Sequence, residues 1–458
     1  MKTTIEKMRL LPAILPDFVF MENPNDEIEI YTGEIHLDLN NELVKLEGRI
    51  YFKWLPTSGV KFEGEISENF DTVLQFDKLN KDFQVIVGGS PFGMAFMSNY
   101  AIGDSLKVQG VMTKRPVLGD KTIVVETIKF VIPNLRALYG DPVKEEKENS
   151  IGASRSRLTL EDEKYTVNLD MSTNYKEKLN LLSEGGGFMI LYNGEVIPKN
   201  GEISYHECEK ILGAVSHFLH FINGRRSSCL FPTGIYGDET IWSDYTSFSN
   251  DSFRTIQSWA PRSSIFDFNK IWINFLKLWR EESSRSFLSL FIHWYVECNK
   301  QSGHSEAEIV QSQTGLELLY NWWIVEEKRM IMGRDKENIS ASNKIRLILS
   351  QIGISPEIPD GLSHLKNYSI ENDNMDGPEI LTEIRNAIIH SNYEKRIKLS
   401  AIPIMAKYEA LQLSVKYLEL GLLKILNYQG MYFNRCSSSV YASEAEEFVP
   451  WIIKKADS

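Results

Sequence analysis

A chain of 458 residues, 43% hydrophobic and 11% aromatic, is too long for one ordinary core and has ample material for two or three. Its net charge of -12 excludes a surface coated with nucleic acid throughout and leaves room only for a local basic site. Cys208, Cys229, Cys298 and Cys436 are too few and too widely spaced for a disulfide framework, which points to a reducing compartment.

Near the start, Lys2, Lys7 and Arg9 precede the apolar stretch Leu10 to Phe20, but Pro12, Pro16 and Asp17 interrupt it and no small-residue cleavage site follows. No signal peptide is read there. Nowhere does a run of about 18 apolar residues occur, so no spanning helix or membrane contact is expected, and the protein is expected to be cytoplasmic.

From Glu27 to Pro133 apolar and polar residues alternate over short runs, as in Glu29 to Leu37 and Lys121 to Glu126. Turn signals at Leu55 to Gly59, Gly88 to Pro91 and Leu118 to Asp120 separate them. Residues 1–140 are therefore expected to form a β-rich barrel or sandwich. The charge run Lys144 to Glu148 and the Ser-rich basic run Ala153 to Arg157 read as a linker over 141–163. Residues 164–260 mix strand-like runs, such as Phe188 to Tyr192, with one periodic helix from Tyr205 to Ile222, which predicts a small α/β domain.

After Pro261 the period becomes helical. Helices are expected over Ile265 to Arg280, Ser284 to Lys300, Ala307 to Met330, Asn343 to Ile352, Glu379 to Ser391 and Ile404 to Leu426. They make an all-helical bundle over 261–430, followed by a tail over 431–458, in a multidomain α+β chain. A polar, acidic loop from Gly353 to Gly377 divides the fourth helix from the fifth, and a loop of this length in a compact domain is more often functional than idle.

The fifth helix carries the most pointed chemistry. Proline at its first position and acid in its first turn mark its entry. Ile380, Leu381, Ile384, Ala387 and Ile388 make one apolar face, while Thr382, Arg385, Asn386, Ile389 and His390 lie opposite. An apolar Ile389 on the polar side suggests a cover, either another helix or a partner subunit. Arg clamps phosphate with a permanently charged fork, and His moves protons near neutral pH. The basic stretch Lys395, Arg396, Ile397 and Lys398 that follows offers further phosphate contacts.

Arg385-Asn386 followed by three residues and His390 resembles the Arg-x4-His signature of HEPN ribonucleases, and the resemblance covers Phe266 to about Gly430. It implies a metal-independent endoribonuclease with no cofactor, Arg385 and His390 as catalytic residues, Asn386 as an orienting residue, and a homodimer in which two motifs meet at one site. A β-rich N-terminal region before a helical segment with Trp272 and Glu317 is similar to ApeA-type anti-phage proteins and to prophage YopA-type proteins of the same layout. That resemblance implies RNA as substrate, a phage or host protein as trigger, N-terminal regions that sense a partner, and Glu317 as a polar partner of the motif. The competing expectation is a non-catalytic dimerisation or interaction module in which Arg385 pairs with Glu383 or a neighbouring helix.

Other constellations carry less. His206, Cys208, His217, His220 and Cys229 are zinc-type ligands without a zinc-type spacing, and His217 and His220 flank the helix core of Leu212, Val215, Phe218, Leu219 and Ile222. Gly185-Gly186-Gly187 lacks the Lys-Ser/Thr of a phosphate loop and reads as a turn. Tyr320, Trp322 and Trp323 fall at helical spacing and read as core.

Overall fold

The structure is a computed structural model. It describes the chain apart from residues 1–9, 16–18, 20, 68–70, 72, 74–80, 148–149, 262–267, 301–304, 391, 440, 442–443 and 453–458. Two compact units emerge, one of residues 1–216 and 227–254, the other of residues 217–226 and 255–458.

The first unit opens with six antiparallel strands: β1 (Ile28–Leu39), β2 (Glu42–Lys53), β3 (Gly59–Ile66), β4 (Phe83–Val87), β5 (Ser90–Ile102) and β6 (Leu106–Met112). They close into a barrel in the order β1-β2-β3-β6-β5-β4. Alternation drives the closure, because Ile35, Leu37, Val44, Leu46, Phe62, Val85 and Val108 point inward from different strands and are all fully buried. Tight turns set the register: Asn40 and Asn41 both take positive φ (57° and 69°), as do Gly88 and Gly89 (56° and 77°). Such paired left-handed residues match the strand twist of two-residue hairpins.

A second, eight-stranded antiparallel sheet follows, built from β7 (Val117–Gly119), β8 (Thr127–Pro133), β9 (Asp141–Lys147), β10 (Ser150–Glu161), β11 (Tyr165–Met171), β12 (Ile190–Pro198), β13 (Leu230–Tyr236) and β14 (Glu239–Asp244). Its order is β7-β14-β13-β8-β12-β11-β10-β9. Helices α1 (Tyr175–Gly185) and α2 (Tyr205–Asn223) interrupt it in sequence.

The expected linker over 141–163 is corrected here, since it forms the β9–β10 edge hairpin of that sheet. Its charged residues sit on an edge, where charge discourages further pairing. The strand signal was the alternation Arg157-Leu158-Thr159-Leu160, in register with Asp170-Leu169-Asn168-Val167. Arg157 is not linker chemistry but a buried residue, whose Nε and Nη2 each donate to the Asp170 carboxylate at 2.7 Å. The barrel thus ends near Met112 rather than at 140, and the sheet spans both the expected linker and the expected small α/β domain.

The second unit is helical: α3 (Phe268–Arg280), α4 (Glu282–Cys298), α5 (Ser305–Leu319), the short α6 (Asp335–Asn338), α7 (Ala341–Ile352), α8 (Ser363–Glu371), α9 (Gly377–Ile389), α10 (Tyr393–Ala401) and α11 (Ile404–Ile425). The expected helix start at Ile265 and end at Ser391 lie outside the described residues. A π-helix over Tyr320–Glu327 replaces the last turns of the continuous helix expected to Met330. There Trp322 stacks on Phe287 with ring centroids 4.1 Å apart, and Tyr320 and Trp323 are buried as core. No helix among the described residues is long and apolar enough to cross a membrane.

Two further expectations change. The long loop of Gly353 to Gly377 contains α8, whose Leu365 and Tyr368 are buried and whose Leu365 amide donates to Glu409 Oε2 of α11 at 2.7 Å. Nine residues with no strong apolar stripe hide such a helix from periodicity. The expected tail contributes a small hairpin, β15 (Met431–Phe433) with β16 (Glu446–Phe448), and delivers Arg435 into the core.

Candidate functional site

Helix α9 is held from its first residue. Asp376 caps it by accepting from the Glu379 amide at 2.9 Å, and Pro378 supplies a preset φ in the first turn. Arg346 of α7 grips the same carboxylate with two hydrogen bonds, Nε to Oδ2 at 2.7 Å and Nη2 to Oδ1 at 2.9 Å. Asp376 holds the Arg346 guanidinium above its ordinary pKa. Ile380, Leu381, Ile384 and Ala387 bury the inner face, and α5, α7 and α11 pack around it. The outer face therefore has a fixed direction.

That outer face carries Arg385, Asn386, Ile389 and His390. At 100° per residue they fan over roughly 140° of arc, with Asn386 and Ile389 lying between Arg385 and His390. Arg385 is half-buried and its Nη1 donates to Asn386 Oδ1 at 3.2 Å. Among the described residues it forms no ion pair. The expected pairing with Glu383 is corrected: Glu383 is taken by Lys398 at 2.6 Å and Lys395 at 3.3 Å, both from α10. Those two lysines, Lys398 foremost, hold its carboxyl below the usual carboxylate range. Glu383, two residues before Arg385 and so on another side of the helix, is engaged by α10, and the guanidinium is left to a neutral amide.

His390 ends the helix as an exposed residue and its amide donates to Asn386 O at 3.1 Å. Ile389 beside it is 43% exposed. No helix among the described residues covers it, in contrast to the first of the two covers read from sequence. On α10, which starts just after, Tyr393 is 71% and Ile397 52% exposed. These two stand four residues apart, hence on one helix face, and with Ile389 make three exposed apolar side chains within nine residues of sequence.

The other sequence candidates are placed as follows. Lys395 and Lys398 are the partners of Glu383, so their charge near the site is partly neutralised; Arg396 is exposed on the same helix. Glu317 is exposed on α5 and pairs with Lys344 of α7 at 2.7 Å, with no hydrogen bond to Arg385 or His390 among the described residues. Trp272 is core, packed on Phe218 and Phe275. His206 is exposed, while Cys208, His220 and Cys229 are buried, and burial pushes the His220 imidazole well below its usual pKa. Among the described residues no three His, Cys, Asp or Glu side chains gather as metal ligands would.

Sequence reading missed the Arg346–Asp376 brace, although Asp376 stands directly before Gly377-Pro378, where a capping side chain belongs. It also missed Arg435, whose guanidinium lies fully buried against Glu419 at 2.6 Å and 2.9 Å, with Asn299 and Gln412 as further acceptors. Nothing in local periodicity marks an arginine that enters a core from a tail.

Residues 120–256 match the family model of the YopA central domain, and residues 281–447 match that of the YopA C-terminal domain. The first match falls on the eight-stranded sheet apart from β7, the second on most of the helical unit. Over 435 residues the chain is 27% identical to the SPbeta prophage-derived protein YopA of Bacillus subtilis (strain 168), covering 93% of this chain and 95% of that protein. No solved structure matches.

Proposed function

The chain belongs to the YopA-type proteins through its central and C-terminal domains, and from the geometry of α9 we propose that it is a metal-independent endoribonuclease of HEPN type. The observation that carries this reading is Arg385: a half-buried guanidinium without a carboxylate, beside an exposed His390, on a helix braced at its far end. A structural arginine is normally given an anion; a phosphate-binding one is left waiting for it.

In the proposed reaction the RNA 2′-hydroxyl attacks the adjacent phosphorus. The P–O5′ bond breaks, leaving a 2′,3′-cyclic phosphate and a 5′-hydroxyl. One proton leaves the 2′ oxygen and one arrives at the 5′ oxygen, so the step needs a base and an acid. Each chain supplies one His390. A homodimer supplies two, and the strip of Ile389, Tyr393 and Ile397 is the surface that a second copy would cover, which joins two motif helices side by side. Arg385 stabilises charge on the phosphoryl oxygens, Asn386 orients Arg385 through its amide oxygen, and Lys395, Arg396 and Lys398 line the approach of RNA. The prophage origin stated for the Bacillus subtilis relative supports a setting of phage–host conflict, of the kind served by ApeA-type proteins, with the N-terminal barrel and sheet sensing a phage or host partner.

A second reading, a dimerisation module without catalysis, draws support from Glu383, which occupies two of the three basic side chains nearest the site. Expression in a bacterial host separates the two. Under the nuclease reading the wild type slows growth and fragments total RNA while His390→Ala does neither; equal behaviour of two folded proteins leaves the module. Sedimentation of Ile397→Asp tests the interface, where a dimer weakened at least tenfold is expected and an unchanged one places the contact elsewhere.

A further inference from the structure

Behind the motif helix lies a groove of 490 Å³, bounded by the 354–375 segment, by Leu413, Lys416 and Tyr417 of α11, and by Tyr432 and Glu447 of the terminal hairpin. Its volume is that of small-molecule sites, which commonly span about 300–1,000 Å³. The walls mix apolar groups, Ile354, Ile358 and Leu413 among them, with a few charges.

Those charges are unequally engaged. Lys366 is ion-paired with Asp360, and Glu447 accepts the hydroxyl hydrogen of Tyr432. Glu357 is exposed on the segment that borders the groove. Lys416 is half-buried and forms no ion pair among the described residues. Next to it, Tyr417 is 2% exposed, and its hydroxyl is buried without a hydrogen-bond partner. A buried orphan hydroxyl costs about 1–3 kcal/mol, and this one lies against Gly377 rather than on the open surface of the groove, so Lys416 is the group left to meet a ligand.

Two contacts join α9 to the segments that border the groove. The Gly377 amide donates to Pro356 O at 2.8 Å. A Cβ at Gly377 would stand 2.6 Å from the Tyr417 hydroxyl, so the first residue of the motif helix packs against a residue whose ring borders the groove.

We propose that this groove binds a small monoanionic amphiphile, a carboxylate or sulfate monoester on an apolar body, with Lys416 as its counter-ion, and that its occupancy tightens the N-terminus of α9. The acidic residues around it disfavour a polyanion, and the apolar wall disfavours a bare inorganic ion. The binding claim stands alone; only its consequence for Arg385 and His390 rests on the nuclease reading.

The test therefore uses binding and amide exchange rather than RNA cleavage. Full-length protein is titrated calorimetrically with octanoate, octyl sulfate and octylamine, and exchange is followed at the amides of residues 379–386. One equivalent of at least one anion is expected to bind and to slow exchange there several-fold, with octylamine inert; which anion binds identifies the source chemistry. Lys416→Ala, at a half-exposed position without an ion-pair partner among the described residues, should weaken binding at least tenfold while leaving the circular dichroism spectrum unchanged. Octylamine binding as well as the anions, Lys416→Ala binding undiminished, or no binding by any probe overturns the site. Binding without slowed exchange overturns the link to α9. Neither result depends on whether RNA is cut.

Discussion

Two regions of the helical unit each centre on an arginine, and the fold treats them in opposite ways. Arg435 is 1% exposed and lies against Glu419, which is 0% exposed, with Asn299, Gln412 and Tyr295 completing the network. Burial opposes its charge, yet Glu419 more than offsets this and holds it charged. Arg385, on a neighbouring face, has one amide oxygen. A chain that satisfies one guanidinium so completely has given the other no carboxylate among the described residues, only the Asn386 amide oxygen. The contrast separates an arginine that holds the structure from one that faces a ligand.

The largest test of that contrast is Arg435→Met. It strands the Glu419 carboxylate without a counter-ion, and denaturant unfolding should lose about 3–5 kcal/mol. Restoring neutrality with Arg435→Met plus Glu419→Leu should recover most of the loss, because paired apolar replacement of a buried ion pair is often neutral. Arg385→Ala, in contrast, should change stability by no more than about 0.5 kcal/mol. A comparable loss at both arginines would erase the distinction.

Next in size is Asp376→Ala, which removes the α9 cap and the Arg346 brace together and should cost about 1–2 kcal/mol by thermal unfolding. Activity should fall as well, since the brace sets where Arg385 points. Stability lost with activity untouched would mean that the far end of the helix does not position the site.

Smallest is Glu383→Gln, expected to cost less than about 1 kcal/mol and to loosen α10, read by hydrogen exchange over residues 393–401. Its pH signature has a fixed sign. Lys398 and Lys395 depress the folded pKa of Glu383, so the contribution is complete above the unfolded value of about 4.3 and fades as the pH falls below it through the lower folded value. Glu383→Gln should show no such dependence.

How much was legible follows the same division. The barrel turns at Gly88-Gly89 and the helical periods after Pro261 announce themselves locally, because alternation and 3.6-residue repeats are properties of short windows. Arg385, Asn386, Ile389 and His390 were likewise readable as one outer face, since one helix carries them all. The β9–β10 hairpin was not, because its charge run masks an edge strand that only Leu158 and Leu160 betray. Helix α8 was hidden by its nine polar-rich residues, and its place is fixed by a long-range bond from the Leu365 amide to Glu409. Lys395 and Lys398 looked free in sequence; their engagement with Glu383 depends on how α10 folds back on α9, which no window of sequence states.

The most direct test of the central claim is cleavage of a uniformly labelled RNA by purified wild-type protein, Arg385→Ala and His390→Ala, in buffer containing EDTA, with product ends identified. The account predicts 2′,3′-cyclic phosphate ends from the wild type and at least a hundredfold loss in both variants at unchanged unfolding midpoints. Cleavage that survives in either folded variant, or no cleavage by a dimeric wild type with its proposed partner present, would contradict it.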